Sequence, residues 1–235
     1  MTTPTIEALM TRDEFVANLK KQGTRYYHTH PLHVGMNAGK LSQKQIQVWA
    51  ANRYYYQKSI PLKDAAILSN CPEISVRRVW IQRILDHDGT TAGQGGIENW
   101  LKLTEAVGLS REAVLDERHL VPGVRFAVDA YVNFARTRPW IEAVAASLTE
   151  LFAPDLMKER LDAFEQHYDW IDNNGLTYLR NRLLQGPRDA SHAVDIVVQY
   201  CRTREQQERA IAALMFKCDV LWSMLDSIHH AVEEK

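Results

Sequence analysis

Three pairs of side chains that could bind or transform a ligand lie four residues apart along this chain. The pairs are Arg53 with Gln57, Arg83 with His87, and Tyr178 with Arg182. Residues four apart share one face of an α-helix, so each pair points in one direction. Arginine grips carboxylates through two parallel hydrogen bonds, histidine transfers protons near neutral pH, and tyrosine donates a hydrogen bond or a proton. Together these side chains could hold an anionic ligand and move protons on it.

Two of the pairs lie on helix faces that are otherwise apolar. The neighbours are Val76, Val79, Trp80 and Ile84 around Arg83 and His87, and Ile46, Trp49, Ala50, Tyr56 and Ile60 around Arg53 and Gln57. Because unpaired buried charge is costly, each inward cation needs a partner. The partner is either a structural group of the protein or an anionic ligand between helices, and we favour the ligand. For Tyr178 and Arg182 the spacing alone favours an exposed arginine with a tyrosine lying across it.

The C-terminal helix carries a lysine among apolar residues. Residues 210–222 read AIAALMFKCDVLW, in which Lys217 and Asp219 are the charged positions. The Lys217 ammonium either reaches solvent along the helix surface or projects inward, and the turns of helix that follow disfavour the first. An inward Lys217 pairs with a buried carboxylate or with an anionic ligand, and both readings stay open. Glu150 also lies among apolar residues, and we expect it to pair with one of the arginines.

His87 lies in the last turn of its predicted helix, where the helix dipole can give a protonated imidazole a purely structural role. Arg83 on the same face would instead keep the imidazole neutral and able to accept a proton from a ligand. The sequence has no Glu-x-x-His motif, which argues against a di-iron bundle. Haem needs only one axial histidine, so counting residues does not exclude it.

Composition narrows the function classes. The 235 residues have a net charge of −1 and no basic block, which argues against nucleic acid as a partner. No apolar run approaches the roughly 20 residues of a membrane span, and the N-terminus lacks a signal-peptide layout. The scattered cysteines Cys71, Cys201 and Cys218 fit a reducing compartment and exclude a Cys-x-x-Cys site. We therefore expect a cytoplasmic protein that binds neither nucleic acid nor membrane.

The elements that position the candidate residues are predicted to be helices nearly throughout. Capping boxes beginning at Thr11, Ser42 and Thr203 start three of them. The predicted helices cover 11–23, 42–70 with a kink at Pro61, 72–88, 97–107, 110–118, 123–138, 139–152, 154–167, 175–185, 187–202 and 203–234, with a glycine-rich turn at 90–96. No alternating strand pattern or repeat occurs, and the linkers are short. A single all-α domain over 1–235, with 1–10 as a flexible N-terminus, is predicted.

Six phrases of this sequence closely resemble the pyrroloquinoline-quinone synthase family, the protein C family of PQQ biosynthesis. They are WAANRYYYQ at 49–57, IPLKDAA at 60–66, QRILDHDG at 82–89, LVPGVRFAVDAY at 120–131, SLTELFAP at 147–154 and FKCDVLWSMLD at 216–226. The resemblance runs from about Thr11 to the end of the last helix. Several long phrases in one order make it specific.

The resemblance implies a single-domain helical bundle of the haem-oxygenase-like type that forms homodimers. It implies an oxidase without metal or organic cofactor that catalyses the final step of pyrroloquinoline quinone (PQQ) biosynthesis. In that step an amino-carboxyethyl quinone precursor undergoes ring closure and multi-electron oxidation by O₂, with release of hydrogen peroxide. Precursor and product carry several carboxylates, which would account for the inward cations.

The resemblance also implies roles for twelve residues. His87 would be the main general acid/base, while Tyr178, Arg182 and Lys217 would polarise the quinone and stabilise reduced oxygen species. The implied substrate-binding residues are Tyr26, Arg53, Tyr56, Gln57, Arg83, Tyr131, Glu150 and Arg160. Among these, the three arginines would anchor carboxylates, and no residue would bind a metal.

The chain departs from the family pattern at two positions. Met157 stands where we expect a histidine, and Tyr27 stands where at least one relative has histidine. If that imidazole serves the later oxidations, the reaction would be slow or stop at an intermediate, unless His28 or His167 replaces it. Two alternatives to the synthase stay open: a haem-oxygenase-like or thiaminase-like enzyme acting on another heterocycle, and a quinone-binding carrier with little turnover.

Overall fold

Short polar side chains determine where three of the helices begin. In the computed structural model, which describes residues 8–233, the Thr11 and Ser42 side chains accept hydrogen bonds from the backbone N–H groups of Glu14 and Gln45. Glu14 and Gln45 bond back to the capping residues, which completes both predicted capping boxes. Thr203 forms a third box with Gln206, at 3.1 Å in both directions. These starts confirm the sequence prediction.

The described residues form α-helices joined by short turns, with no strand among them. The helices are α1 (Arg12–Lys21), α2 (Pro31–Asn37), α3 (Gln43–Asn70), α4 (Ile74–Asp88), α5 (Gly95–Ala106), α6 (Arg111–Leu115), α7 (Pro122–Thr137), α8 (Trp140–Ala146), α9 (Ala153–His167), α10 (Thr177–Tyr200) and α11 (Arg204–Glu233). Four 3₁₀ segments connect them at Gln22–Arg25, Tyr27–Thr29, Ser147–Leu151 and Asn173–Leu176. The predicted all-α class is confirmed.

The structure differs from the predicted helices in three places. The two helices predicted at 175–185 and 187–202 are one continuous helix, α10, with Pro187 in its interior. A proline removes one intrahelical hydrogen bond, and here packing of α10 against α9 and the Ser147–Leu151 segment outweighs that loss. The helix predicted at 139–152 changes to a 3₁₀ segment after Ala146, and α2 was not predicted.

Helix α3 lies at the centre of the bundle and packs against α4, α5, α7 and α11. Large aromatic side chains fill the interior beside it: the rings of Trp49 and Trp100 meet edge to face at 5.3 Å, and Trp49 also contacts Phe164 at 5.8 Å. Such pairs stabilise beyond the apolar area they bury and hold neighbouring helices at fixed distances. The cavity described below opens between α3 and the helices around it.

Two predictions reach beyond the described residues. Residues 1–7 of the predicted flexible N-terminus at 1–10 lie outside them, as does residue 234 of the predicted last helix. Met10 is buried, and its backbone exchanges hydrogen bonds of 2.9 and 3.0 Å with the Gln207 side chain on α11. None of the helices described here is long and apolar enough to cross a membrane.

Candidate active site

One cavity brings together most of the candidate residues. It lies between α3, α4, α7, α9 and α10, with α5 and the 3₁₀ segments at Tyr27–Thr29 and Ser147–Leu151 also contributing to its lining, and its volume is about 70 Å³. Ten of the twelve predicted site residues line it: Tyr26, Arg53, Tyr56, Gln57, His87, Tyr131, Glu150, Arg160, Tyr178 and Arg182. The other two, Arg83 and Lys217, are buried directly behind its wall. Side chains that are far apart in sequence thus meet in one place.

His87 presents one defined nitrogen to this cavity. Its Nδ1 lies 3.0 Å from the backbone carbonyl oxygen of Arg83, one turn earlier in α4. Nδ1 therefore carries the proton, and Nε2, which has no hydrogen-bond partner among the described residues, is the free acceptor. Burial, followed by the positive charge of Arg182, lowers the pKa of His87 to about 4. The imidazole is neutral at physiological pH, as predicted, although Arg182 and not Arg83 supplies the charge.

The face that carries His87 is largely as predicted. Val76, Trp80, Arg83 and His87 are buried together, at spacings of three and four residues. Val79 was placed on the same face but is 39% exposed, because it lies about 70° around the helix from the centre of the four buried residues. The Arg83 guanidinium stacks on the Trp80 ring at 4.0 Å, so the aromatic neighbour covers the charge.

Glu150 partners two of the arginines, as the sequence predicted. Its carboxylate lies 2.7 Å from Arg83 and 3.4 Å from Arg182. Arg83 also donates a 2.6 Å hydrogen bond to the backbone carbonyl of Asp189, whose carboxylate contacts Arg182 at 3.3 Å. Arg83 is thus neutralised by the protein and lies behind the cavity wall. The side chain of Arg182 is only 11% exposed, so the expectation of a surface Tyr178–Arg182 pair is wrong.

Three other buried cations have no such carboxylate. Within residues 8–233, no Asp or Glu lies within ion-pair distance of Arg53, Arg160 or Lys217. Arg53 stacks on Tyr56 at 4.5 Å, and Arg160 lies 5.3 Å from the Trp49 ring centre. Aromatic faces offset part of the cost of a buried cation, but they supply no negative charge. This cavity therefore has an excess of positive charge.

Lys217 is enclosed by two of the tyrosines that line the cavity. Its ammonium nitrogen lies 3.6 Å from the Tyr131 ring centre and 4.2 Å from that of Tyr56, and it has no hydrogen-bond partner among the described residues. Burial, with Arg53 and Lys63 nearby, holds the pKa of Lys217 well below its ordinary value. Of the two readings left open by the sequence, pairing with a buried carboxylate is wrong.

Tyr178 is fixed by a neighbour on each side. Its phenol donates a 2.7 Å hydrogen bond to the side-chain oxygen of Gln57, and its ring meets Trp100 edge to face at 4.9 Å. Trp100 is itself anchored through a 2.9 Å hydrogen bond from its indole nitrogen to the carbonyl of Ala50. Burial raises the pKa of Tyr178 above its ordinary value, so the phenol remains a proton donor.

Sequence reasoning missed Lys63, which lines the cavity from α3. Lys63 pairs with the adjacent, fully buried Asp64 and donates a 3.1 Å hydrogen bond to Ser147. Trp80 donates to the same Asp64 carboxylate at 2.8 Å. A lysine beside an aspartate reads as an ordinary surface pair in sequence. The signal that could have found it is that Lys63 lies seven residues, or two helical turns, after Tyr56 and therefore on the same face of α3.

The two positions that depart from the family pattern both lie at the cavity. Met157 and Tyr27 both line the cavity and are buried. His28 and His167 are exposed and do not line it, so neither can replace an imidazole at position 157. No group of three or more His, Cys, Asp or Glu side chains that could hold a metal ion occurs in the described part of the chain.

Comparison with known proteins yields relatives over nearly the whole length. Residues 16–227 match the TENA/THI-4/PQQC family. The chain is 59% identical over 227 residues to a pyrroloquinoline-quinone synthase from Pseudomonas aeruginosa, covering 96% of this chain and 90% of that one. It is 55% identical over 224 residues to the protein of the same name from Cronobacter sakazakii, covering 95% and 89%.

Solved structures with low sequence identity share the fold. A domain with a haem-oxygenase-like fold from Shewanella denitrificans superposes with a TM-score of 0.79 at 12% identity, covering 96% of this chain and 95% of that one. A TenA homologue from Pseudomonas syringae gives a TM-score of 0.74 at 13% identity, covering 97% and 100%. Likenesses at this identity concern the fold alone, and they confirm the predicted haem-oxygenase-like bundle.

Proposed function

We propose, since this chain belongs to the TENA/THI-4/PQQC family, that it is a pyrroloquinoline-quinone synthase. It is an oxidoreductase of PQQ biosynthesis, acting at the final step with the quinone precursor as substrate and PQQ as product. We further propose that O₂ is the electron acceptor, that hydrogen peroxide is released and that no metal or organic cofactor takes part.

The observation that carries the proposal is the excess of positive charge in one buried cavity. Arg53, Arg160 and Lys217 are each less than a tenth exposed and lack a carboxylate partner in residues 8–233. A ligand with several carboxylates supplies the missing negative charge, and arginine binds such groups through two parallel hydrogen bonds. Haem also carries carboxylates, but it needs an axial ligand. His87, which lines this cavity, would have to serve as that ligand, so the haem alternative is tested by the absorption measurement described below.

His87 is suited to remove a proton from the bound precursor. Its Nε2 faces the cavity as a free acceptor, and its orientation is held by the hydrogen bond from Nδ1 to the backbone. A neutral imidazole takes a proton as a C–H or N–H bond of the ligand breaks, and the electron pair stays on the ligand. The electron-rich ligand anion can then pass electrons to O₂ without a metal. Arg182 lies where it can stabilise negative charge on a quinone oxygen or on reduced oxygen.

The binding of a tricyclic product requires the cavity to widen. Its volume of about 70 Å³ is well below the roughly 300 Å³ at which small-molecule pockets begin. Side chains of α9 and α10 form one wall, and the Ser147–Leu151 segment beside them is a 3₁₀ helix, in which hydrogen-bond geometry is poorer than in an α-helix. We propose that this wall moves outward when the precursor enters. Equal proteolysis of free and product-bound protein in this segment would contradict the movement.

Two further properties belong to the proposal. The family resemblance supports a homodimer, which light scattering of the purified protein would test at several concentrations. Retention of monomer mass at high protein concentration would contradict the dimer.

The cytoplasmic location is supported by the three cysteines, which are free and buried.

The experiment that tests the function is aerobic incubation of metal-stripped protein with the quinone precursor. Product absorbance and hydrogen peroxide should rise together, and both should collapse in His87→Ala. Tight product binding without oxygen uptake would instead identify a quinone carrier. A haem absorption band, or hydrolysis of a thiamine analogue, would identify the other alternative. His28→Ala is the matched control, because this histidine is exposed and does not line the cavity.

A further inference from the structure

Tyr27 lines the cavity but has no part in the chemistry described so far. Its side chain is 1% exposed, and its phenol oxygen lies beside Arg160 and Tyr26 without a well-aligned hydrogen bond to any described residue. Buried hydroxyl groups are ordinarily hydrogen-bonded, because leaving one unsatisfied is costly. A phenol without a well-aligned hydrogen bond at the wall of a ligand cavity leaves its oxygen available to a bound ligand.

We propose that Tyr27 is a second acid/base group of this cavity, which exchanges a proton with the bound quinone precursor through its phenol oxygen. This inference rests on the proposed function. Its chemistry is distinct from that of His87, because the two groups belong to different elements and have different surroundings.

The charged and titratable groups that face Tyr27 come from four helices and from its neighbour in sequence. They are Arg53 on α3, Arg160 on α9, Tyr178 on α10, His33 on α2 and the adjacent Tyr26. No carboxylate is among them. Burial by itself would raise the pKa of the Tyr27 phenol, but the positive charges of Arg160 and Arg53 outweigh burial and hold this pKa below its ordinary value. The phenolate of Tyr27 would neutralise one of the two unpaired arginines.

Tyr26 shows why this property belongs to one tyrosine and not to both. The two rings lie 4.3 Å apart, and both are buried at the same wall. Burial raises the pKa of Tyr26 well above its ordinary value, and the neighbouring Tyr27 adds to the effect. One phenolate between two arginines is favourable, whereas a second beside it would repel the first. Tyr26 therefore stays protonated.

His33 holds Arg160 in position beside Tyr27. Its Nδ1 accepts a 2.6 Å hydrogen bond from the Arg160 guanidinium, and burial together with that charge lowers the pKa of His33 to about 3. An imidazole that accepts at Nδ1 is neutral and carries its proton at Nε2. The His33 ring also meets the Tyr27 ring edge to face at 5.5 Å. A neutral His33 thus adds no positive charge and keeps the arginine directed toward the phenol.

The proposed step is a single proton transfer. An O–H bond forms on the Tyr27 phenolate as a C–H or N–H bond of the precursor breaks, and the electron pair stays on the precursor. The electrons leave the precursor to O₂, which the proposed function already supplies as oxidant. The phenol can return its proton to the peroxide oxygen or to solvent when the product leaves. The cavity then holds two proton-transfer groups for a reaction that removes several protons.

The test begins with the ligand-free protein, so that it does not depend on turnover. We expect an ultraviolet titration of tyrosinate to show one group ionising below the ordinary value of about 10. This ionisation should vanish in Tyr27→Phe, move upward in Arg160→Met and persist in Tyr54→Phe. Tyr54 is the matched control, because it is buried but does not line the cavity. Identical titrations of wild type and Tyr27→Phe would overturn the proposal.

Turnover of the precursor supplies the second measurement. Tyr27→Phe should lower kcat on the order of 100-fold, remove one limb of its pH profile and leave product Kd within about threefold. A lower affinity with unchanged kcat would make Tyr27 a binding residue and overturn the acid/base role. Normal turnover in Tyr27→Phe would overturn this inference alone. Absence of turnover in the wild type would overturn the proposed function and this step with it.

Discussion

The Nδ1 atom of His87 lies 3.0 Å from the carbonyl oxygen of Arg83, one helical turn before it. This hydrogen bond selects the tautomer and the direction of the ring, so that Nε2 faces the cavity. The carbonyl belongs to the backbone, which means that no substitution at Arg83 removes it. The orientation of the proposed base is therefore a property of helix α4 itself.

Replacing His87 by asparagine tests that base directly. In His87→Asn the new amide can keep the hydrogen bond to the backbone but cannot accept a proton, so kcat should fall by about 10²–10⁴. Product affinity, measured by quenching of tryptophan fluorescence, should stay within about threefold. A variant that loses affinity as much as turnover would show that His87 binds the ligand and does not transfer protons.

The pH dependence of turnover should reflect the lowered pKa of His87. Since this pKa is about 4, the imidazole stays neutral and kcat/KM should fall only as pH drops toward 4. An ordinary histidine would produce the fall near 6.5. An acidic limb near 6.5 that disappears in His87→Asn would contradict this prediction.

Stability should depend on pH through the same group. The folded pKa of about 4 lies below the unfolded value near 6.5, so folding holds the imidazole neutral. The contribution is present above pH 6.5 and is lost as pH falls through about 4, and its size is on the order of 3 kcal/mol. Denaturant unfolding at several pH values should show a smaller acid loss for His87→Asn than for wild type. His28→Asn, an exposed control, should behave as wild type.

Lys217→Met should raise stability while it lowers activity. The ammonium group is buried without a carboxylate or hydrogen-bond partner in the described residues, and an apolar side chain of similar length removes that cost. We expect a gain of about 1–3 kcal/mol and a melting temperature several degrees higher. Lys158→Met, at an exposed ion pair with Asp162, should leave stability close to that of wild type. Loss of stability in Lys217→Met would show that the two tyrosine faces fully compensate the charge.

Arg160 and Arg83 should respond differently to the same substitution. Arg160→Met should weaken product binding by about 10–100-fold and cost less stability than Arg83→Met, since it removes a contact to the ligand and the hydrogen bond to His33 but no carboxylate ion pair. Arg83→Met should cost about 3 kcal/mol of stability, because it leaves the Glu150 carboxylate with only the longer contact to Arg182. Calorimetry of binding and denaturant unfolding measure the two effects. Equal stability losses in both variants would contradict the distinction between paired and unpaired cations.

Met157→His should restore turnover where Tyr27 has been removed. Met157 lines the same cavity, and an imidazole there could take over proton transfer from the missing phenol. In the Tyr27→Phe background we expect about a tenfold recovery of kcat, and Met157→Gln should give none. Equal rates for the two substitutions would mean that position 157 affects the shape of the cavity and not its proton transfers.

Local chemistry along the chain determined the helices and the inward faces. The capping boxes at Thr11, Ser42 and Thr203 act within four residues, and the spacing of Arg53 with Gln57 places both on one face whatever lies opposite. The family resemblance then implied ten side chains that meet at the cavity. Pro187 shows the limit of local rules, because helix packing outweighs the preference of proline to end a helix.

Only the tertiary structure decided which cations are paired. Arg53 and Arg83 look alike in sequence, each on an apolar face and four residues before a polar partner. Arg83 meets Glu150, which lies far along the chain, whereas Arg53 meets no carboxylate within the described residues. Electrostatic energy depends on distance in space and on burial, and neither follows from the distance along the chain. The division between arginines paired with a carboxylate and arginines without one, and the place of Tyr27 beside two of the latter, therefore came from the fold.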